Sequence, residues 1–499
     1  MYRGELAVLL IIISIKGCLL GQTTFNKTYD FSHGIDQVYA VTTINDGYIL
    51  VGSGYGNEVG AFFDIKIKYA KIDYEGNLVW QKFIGAPDTN FFVYPKSSIA
   101  TLDGNVIFCG SRQSLTTSEI HLIKINSTTG DTIFMKRFDN DDEIYGLQVR
   151  ELNDGSLIIL GYDSNDSFAF FFIKTTPDGQ FVWDKRYGTT TEGYPTEFNI
   201  VDDTIYTVNG NYLCAPEGYW IRRMDSNGNV ISTNYFNGDC VGNGLKSETE
   251  GYYGAGAYYS VPPYQTFSYR TDADGNVLWH YETSIDMDTL EYEQLFPDIV
   301  KELPNGDLIV AGYYSSNYLG SYIGLISKIN IEGVAYWERF YTATPDPSDD
   351  NIIYDIDFCI DGGYILAGSA FGAEESEGQN FWALKLDSVG CLIPGCDTLD
   401  INITEYQYNV GNIEVYPNPV LESAIVRINL NSASSVNEVN YTVSDITGRI
   451  IYKSINCAST RKSNEISFTI FKNDLQSGVL ALKLYTRGYL IGYTKFVVE

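Results

Sequence analysis

The sequence predicts an all-β protein: a seven-bladed β-propeller whose last blade is closed by the N-terminal strand, followed by a small β-sandwich. Three observations predict it. A glycine-centred hairpin turn recurs down most of the chain, a tryptophan recurs at a fixed offset from it, and the pattern stops short of residue 413. The type stretch is Lys71 to Gly85, KIDYEGNLVWQKFIG, with Asn45 to Ser53, NDGYILVGS, before it. An acidic or amide residue followed by Gly supplies the positive φ of a tight hairpin, so Asp46-Gly47 and Glu75-Gly76 each mark a strand reversal.

The second turn recurs at Gly76, Gly130, Gly179, Gly228, Gly275, Gly333 and Gly390, with gaps of 54, 49, 49, 47, 58 and 57 residues. Four residues beyond each stand Trp80, Phe134, Trp183, Ser232, Trp279, Trp337 and Pro394. The first turn recurs at Asp46-Gly47, Asp103-Gly104, Asp154-Gly155, Glu250-Gly251, Asn305-Gly306 and Gly362-Gly363, with Asp203-Thr204 degenerate. Apolar runs such as YILVG, NVIFCG, SLIILG and DLIVAG follow, short enough for strands buried on both faces. Four strands at such a period are the signature of a propeller, each sheet covering its neighbour's apolar faces. After Gly390 the outer strand is missing. Phe25 to Tyr29, FNKTY, resembles the outer strands WQKFI and WERFY and is expected to complete blade seven, removing an open edge.

In this topology the first-to-second and third-to-fourth turns share one face of the disc. The longer second-to-third loops and blade crossings share the other, where binding is expected. Two neighbouring loops there hold aromatics beside Ser and Asn: Tyr258, Tyr259 and Tyr264, then Tyr313, Tyr314 and Tyr318. Such rings stack on sugars or on a partner protein, or pack on one another to order the loops. Cys214 and Cys240 fall on the same face and can pair; Cys391 and Cys396 can close a small loop. Cys109 and Cys359 lie in apolar runs and read as core residues.

With 33 Lys and Arg against 63 Asp and Glu, the formal charge of −30 repels nucleic-acid phosphates and anionic membranes. Forty Tyr and 26 Phe exclude a disordered acidic chain. Residues 1–21 read as a secretory signal: Arg3, an apolar run from Leu6 to Ile15, and small Gly21 before Gln22. Gly17-Cys18 resembles a lipobox, with Lys16 ill-suited to it. No other stretch is apolar enough to cross a membrane as a helix. Domains are expected at 22–396 (propeller), 397–412 (linker) and 413–499 (sandwich).

The last segment carries Tyr416-Pro417-Asn418-Pro419 at its front. Asp445, Gly448 and Arg449 follow in YTVSDITGRIIY, then Gly478 after Ser477, and a final hairpin holding Lys495. In combination these resemble the C-terminal sorting domain of the type IX secretion system of Bacteroidota. Leu480 stands where that family commonly has Tyr. The resemblance implies export through the periplasm to the cell surface or beyond, with the type IX machinery as partner of this domain.

Chemical motifs are sparse. There are three His, and neither HExxH, GxSxG nor a P-loop occurs. The Trp after a Gly turn is similar to the quinone-cofactor propellers, but the turn residues Glu75, Asp178 and Asp274 are not theirs, and aromatic packing accounts for the Trp. No cofactor is expected. The clusters Asp139 to Glu143 and Asp346 to Asp350 could hold calcium, with a solvated loop as the competing reading. The expected function is a secreted or surface propeller binding carbohydrate or protein through its long-loop face. The alternatives are a polysaccharide-acting enzyme, with two carboxylates about 5–10 Å apart at the disc centre, and a purely structural surface protein.

Overall fold

The computed structural model describes residues 22–498 except 32–34, 56–63, 87, 115–116, 140–142, 165–169, 188–193, 202–203, 211–218, 237–242, 247–250, 258–265, 273–275, 283–293, 317–320, 344–348, 372–378, 394–395, 397–409, 431–439, 445–449, 455–459, 463–464 and 487–488. Among these residues there is no α-helix. Seven antiparallel sheets follow one another among the described residues, each a meander whose spatial order is its chain order, except that the outer strand of the seventh comes from the N-terminal end. The first holds Asp36–Ile44, Gly47–Tyr55, Ile65–Ile72 and Leu78–Ile84.

The first strand of each sheet is the inner one. These strands are Asp36–Ile44, the pair Asn90–Phe92 and Ser98–Ala100, Ile144–Glu151, Tyr194–Val201, Asn243–Lys246, Gln294–Glu302 and Asp350–Phe358. Each packs beside the inner strands before and after it, and the seventh packs beside the first, so the circuit closes. The apolar core is divided accordingly. Apolar clusters fill the spaces between consecutive sheets, for example Ile49, Val51, Tyr69, Phe108 and Ile123 between first and second, and one cluster runs through the fourth, fifth and sixth. Val41, Leu50, Ile365 and Phe381 do so between seventh and first. Cys109 and Cys359 are free thiols within such clusters.

The outer strand of the seventh sheet is the N-terminal Phe25–Tyr29, paired antiparallel with Gln379–Leu386 from Phe25↔Lys385 to Tyr29↔Phe381. Side chains reinforce the seam: Trp382 Nε1 donates to Asn26 Oδ1 at 2.6 Å, and Asn26 Nδ2 donates to the Thr342 carbonyl at 2.7 Å.

The repeated glycine and tryptophan belong to one contact between sheets. In the turn, Asp73 Oδ1 accepts from the N–H of Asn77 at 2.7 Å and of Glu75 at 3.1 Å, and Gly76 has φ +73°. A bulge at the next outer-strand position leaves Trp80 on the face toward the following sheet. There it lies 2.8 Å from where a Cβ on Gly130 would be, and its Nε1 donates to the Thr128 carbonyl at 2.9 Å. The same contact recurs as Phe134 on Gly179, Trp183 on Gly228, Trp279 on Gly333 and Trp337 on Gly390. Phe25 makes it on Gly76, so the N-terminal strand also supplies the aromatic of the seventh sheet, while the fourth has Ser232 in that place. A second rim contact was not legible in the sequence: a third-strand lysine reaches the first-turn aspartate, Lys71 to Asp46 and Lys124 to Asp103 at 2.7 Å each, and Lys385 to Asp361 at 2.9 Å.

Residues 410–498 form two four-stranded sheets. Val426, Val443, Phe468, Leu482 and Phe496 fill the space between them. The first strand, Val410–Tyr416, begins inside the segment expected to be a linker.

Candidate functional site

The inner strands do not run true. In the first, third, fourth, sixth and seventh sheets the register slips between inner and second strand, at Val38/Ala40, Gly146/Gln148, Pro195/Glu197, Phe296/Ile299 and Ile353/Asp355. In the second sheet the inner strand breaks altogether between Phe92 and Ser98. A bulge inserts residues without partners and re-aims the side chains that follow it. Here it also frees backbone N–H groups, which polar side chains of the preceding sheet satisfy. Gln148 Oε1 accepts from Phe198 N at 3.3 Å, and Asp355 Oδ2 from Val41 N at 3.0 Å.

Beyond the bulges the inner strands surround an axial cavity of about 330 Å³. Its walls carry the cations Lys96, Arg150 and Lys301 and the carboxyls Glu197, Glu302, Asp355 and Asp357. All lie in or just before the ends of inner strands that lead into the first-to-second turns. The cavity therefore lies toward the short-turn end of the inner strands, away from the loops where the sequence places a ligand.

The charges are paired. Lys96 lies in the broken segment with φ +60°, a left-handed conformation that a side chain disfavours, and its N–H donates to the Tyr39 carbonyl at 3.0 Å. That conformation sends its ammonium to Glu197 Oε2 two sheets away, at 2.5 Å with both side chains buried. Arg150 Nη2 stands 3.7 Å from the other oxygen of Glu197, and its guanidinium carbon 5.3 Å from the centre of the Phe198 ring. Lys301 Nζ lies 3.7 Å from Asp357 Oδ1, and Arg270 donates to Glu302 at 2.8 Å. The Asp355 oxygens accept from Val41 N and Ile356 N, yet burial pushes its pKa up to about 6 against the pull of Lys301. Hydroxyls complete the wall: Thr42 and Ser98 share a hydrogen bond of 2.7 Å.

A carboxyl near 6 has the pKa a general acid needs. Both Asp355 oxygens are engaged by backbone, however, and Glu197 is fixed between two cations. Among the described residues no three His, Cys, Asp or Glu side chains converge to hold a metal ion. No helix among them is long and apolar enough to cross a membrane.

The predicted site residues are scattered. Tyr258, Tyr259, Tyr264 and Tyr318 lie outside the described residues, as do Cys214 and Cys240. Tyr313 and Tyr314 are not in a loop: they belong to the strand Leu308–Ser316. Tyr314 is buried edge-on against Phe340, and Tyr313 packs on Tyr322. The strand extends further than the YYSSNY composition implies because Tyr322 and Ile323 pair opposite Ser315 and Tyr314. Cys391 and Cys396 form a disulfide with an S–S distance of 1.98 Å.

In the C-terminal region Tyr416, Pro417, Asn418 and Pro419 are exposed, as are Gly478 and Lys495; Asp445, Gly448 and Arg449 lie outside the described residues. Asn418 Oδ1 accepts from Val497 N at 2.8 Å, and Val420 N donates to the Val497 carbonyl at 2.7 Å. The opening motif is thus fastened to the edge of the last strand, Tyr489–Val498.

Residues 414–499 match the family described as the secretion system C-terminal sorting domain, which implies an interaction with the type IX secretion machinery and export. No curated protein matches the sequence. Solved structures similar to the chain include the β-propeller domain of the Trilobed protease from Pyrococcus furiosus, at 9% identity and TM-score 0.42, covering 74% of this chain and 98% of that one. Drosophila Semaphorin 2a is similar at 7% identity and TM-score 0.48, covering 95% and 98%. Sqt1 from Chaetomium thermophilum is similar at 11% and 0.41, covering 71% and 88%.

Proposed function

We propose that this chain is an exported binding protein of Bacteroidota type: a seven-bladed β-propeller that engages carbohydrate or protein outside the cell, delivered there by its C-terminal domain. The observation that carries the reading is the state of the axial cavity. Its carboxylates stand beside cations or backbone N–H groups, as in a wall built to be rigid, and among the described residues that line it no nucleophile is hydrogen-bonded to a base. Residues 1–21 act as the export signal in this reading, and the chain passes through the periplasm. The partner docks on the long-loop face, where Tyr258, Tyr259, Tyr264 and Tyr318 offer rings for stacking.

The test is binding of the exported protein to a glycan array and to surface-protein extracts. Retention of a specific set of ligands, lost when Tyr258, Tyr259 and Tyr264 are all changed to Ala, is the expected result. Silence on both, or binding indifferent to the triple substitution, overturns the long-loop reading. The raised pKa of Asp355 favours one competitor, a polysaccharide-acting enzyme. Hydrolysis of polysaccharide that disappears in Asp355→Asn would establish that competitor and displace the binding reading.

A further inference from the structure

We propose that the axial cavity is a second binding site, separate from the long-loop face, for a small hydroxylated carboxylate of the sugar-acid class, held by Arg150 and Lys301. The two cations belong to the inner strands of the third and sixth sheets, so they face the cavity from well-separated walls. Both retain capacity to bind: Arg150 spends one Nη1 hydrogen on the Val149 carbonyl at 2.9 Å and points Nη2 at Gln148 Oε1 at 3.5 Å, which leaves further N–H donors on its guanidinium. Their carboxylate neighbours stand at 3.7 Å, beyond hydrogen-bonding distance. The Lys301 ammonium makes no hydrogen bond among the described residues, and its side chain is 28% exposed; that of Arg150 is 21% exposed. Each is backed by a ring, Phe198 and Phe358, that limits where it can swing. Lys96, by contrast, is buried and spent on Glu197.

The ligand class follows from the rest of the wall. A guanidinium presents parallel N–H donors matched to a carboxylate, and an ammonium adds a point charge. Glu197, Glu302 and Asp357 line the same space, so a dianion such as phosphate meets about twice the repulsion that a monoanion does. Asp357 has one oxygen on Thr43 N and the other facing the cavity, an acceptor for ligand hydroxyls. Asn199 uses its Oδ1 on Ile200 N, which leaves its amide hydrogens as donors. Thr42 and Ser98 add hydroxyls that can turn either way. A volume of about 330 Å³ sits near the lower end of small-molecule pockets, roughly 300–1,000 Å³. That admits one sugar ring and excludes a chain.

The test is calorimetric titration of the exported protein at low salt with glucuronate, glucose, glucosamine and inorganic phosphate. Glucuronate is expected to bind at least tenfold more tightly than the other three. Arg150→Gln and Lys301→Gln each lose that binding by tenfold or more, and Arg150→Lys, which keeps the charge but not the fork, loses several-fold. Each variant is first shown to keep the parent melting temperature within a few degrees. The proposal is overturned if glucuronate does not bind, if glucose, glucosamine or phosphate binds as well, or if a folded Gln variant binds unchanged. Changing Tyr258, Tyr259 and Tyr264 to Ala should leave glucuronate binding intact, so failure here and failure of the long-loop reading give different results.

Discussion

The rim of the disc and its axis are built on opposite plans. At the rim the same chemistry recurs from sheet to sheet. An aromatic side chain lies on a positive-φ glycine in five copies from Trp80 to Trp337 and a sixth from Phe25. At the axis the equivalent positions, the residues just past each bulge, are Ala40, Gln148, Glu197, Ile299 and Asp355, no two alike. The rim must satisfy one constraint many times, since each sheet has to lock onto the next at the same angle. The axis is a single space seen from seven sides, so each position can specialise. Repetition marks what holds the molecule together, and departures from it mark where it can act.

The sharpest test of this contrast is Lys96→Met. It removes from the buried Glu197 the ammonium that stands 2.5 Å away, and removing one partner of a buried pair costs about 3–5 kcal/mol. Urea unfolding should show that loss, and Lys96→Met combined with Glu197→Leu should recover most of it. If the single substitution is neutral, the axis is not held by its ion pairs.

Next comes pH. Asp355 has its pKa raised from 3.8 to about 6, so the folded protein holds a proton there that the unfolded chain releases. Its contribution to stability is fully present below about 4 and is lost as pH rises toward 6, by up to about 3 kcal/mol. Unfolding midpoints measured across that window in the parent and in Asp355→Leu should converge in slope if another group is responsible, and diverge if Asp355 is.

The smallest effect separates two rim glycines. Gly390 has φ +75° and Trp337 stands 2.6 Å from its missing Cβ, whereas Gly104 has φ +79° with nothing within 4 Å. Alanine at Gly104 pays only backbone strain, about 1 kcal/mol. At Gly390 it must also displace a tryptophan, for a total of roughly 2–3 kcal/mol. Equal melting temperatures for the two variants would mean that the aromatic contact does not lock the sheets.

The rim was largely legible in the sequence because each of its parts has a local signature: glycine after an acid or amide, tryptophan four residues on. Even the closing strand could be read, since FNKTY carries the outer-strand pattern out of place. The axis was not legible. Its polar residues follow bulges, and an inserted residue breaks the alternation from which a strand's faces are read. Lys96 is hidden twice over, as a lysine in a conformation usually left to glycine and in a pair with a residue 101 positions away. Tyr313 and Tyr314 were misplaced for the converse reason: a Ser- and Asn-rich run reads as a loop, and only pairing with Ser321–Ile329 makes it a strand.

The seam between Phe25–Tyr29 and Gln379–Leu386 sets the order in which the molecule can be assembled. The strand Phe25–Tyr29 has no partner until nearly the whole propeller has been synthesised. Throughout that interval one sheet edge and one glycine, Gly76, stand uncovered. The final event is therefore a ring snapping shut between its two oldest and youngest parts, and a chain cut short anywhere before residue 379 never reaches it. Completeness of the propeller, though not of the C-terminal region, is checked by geometry alone.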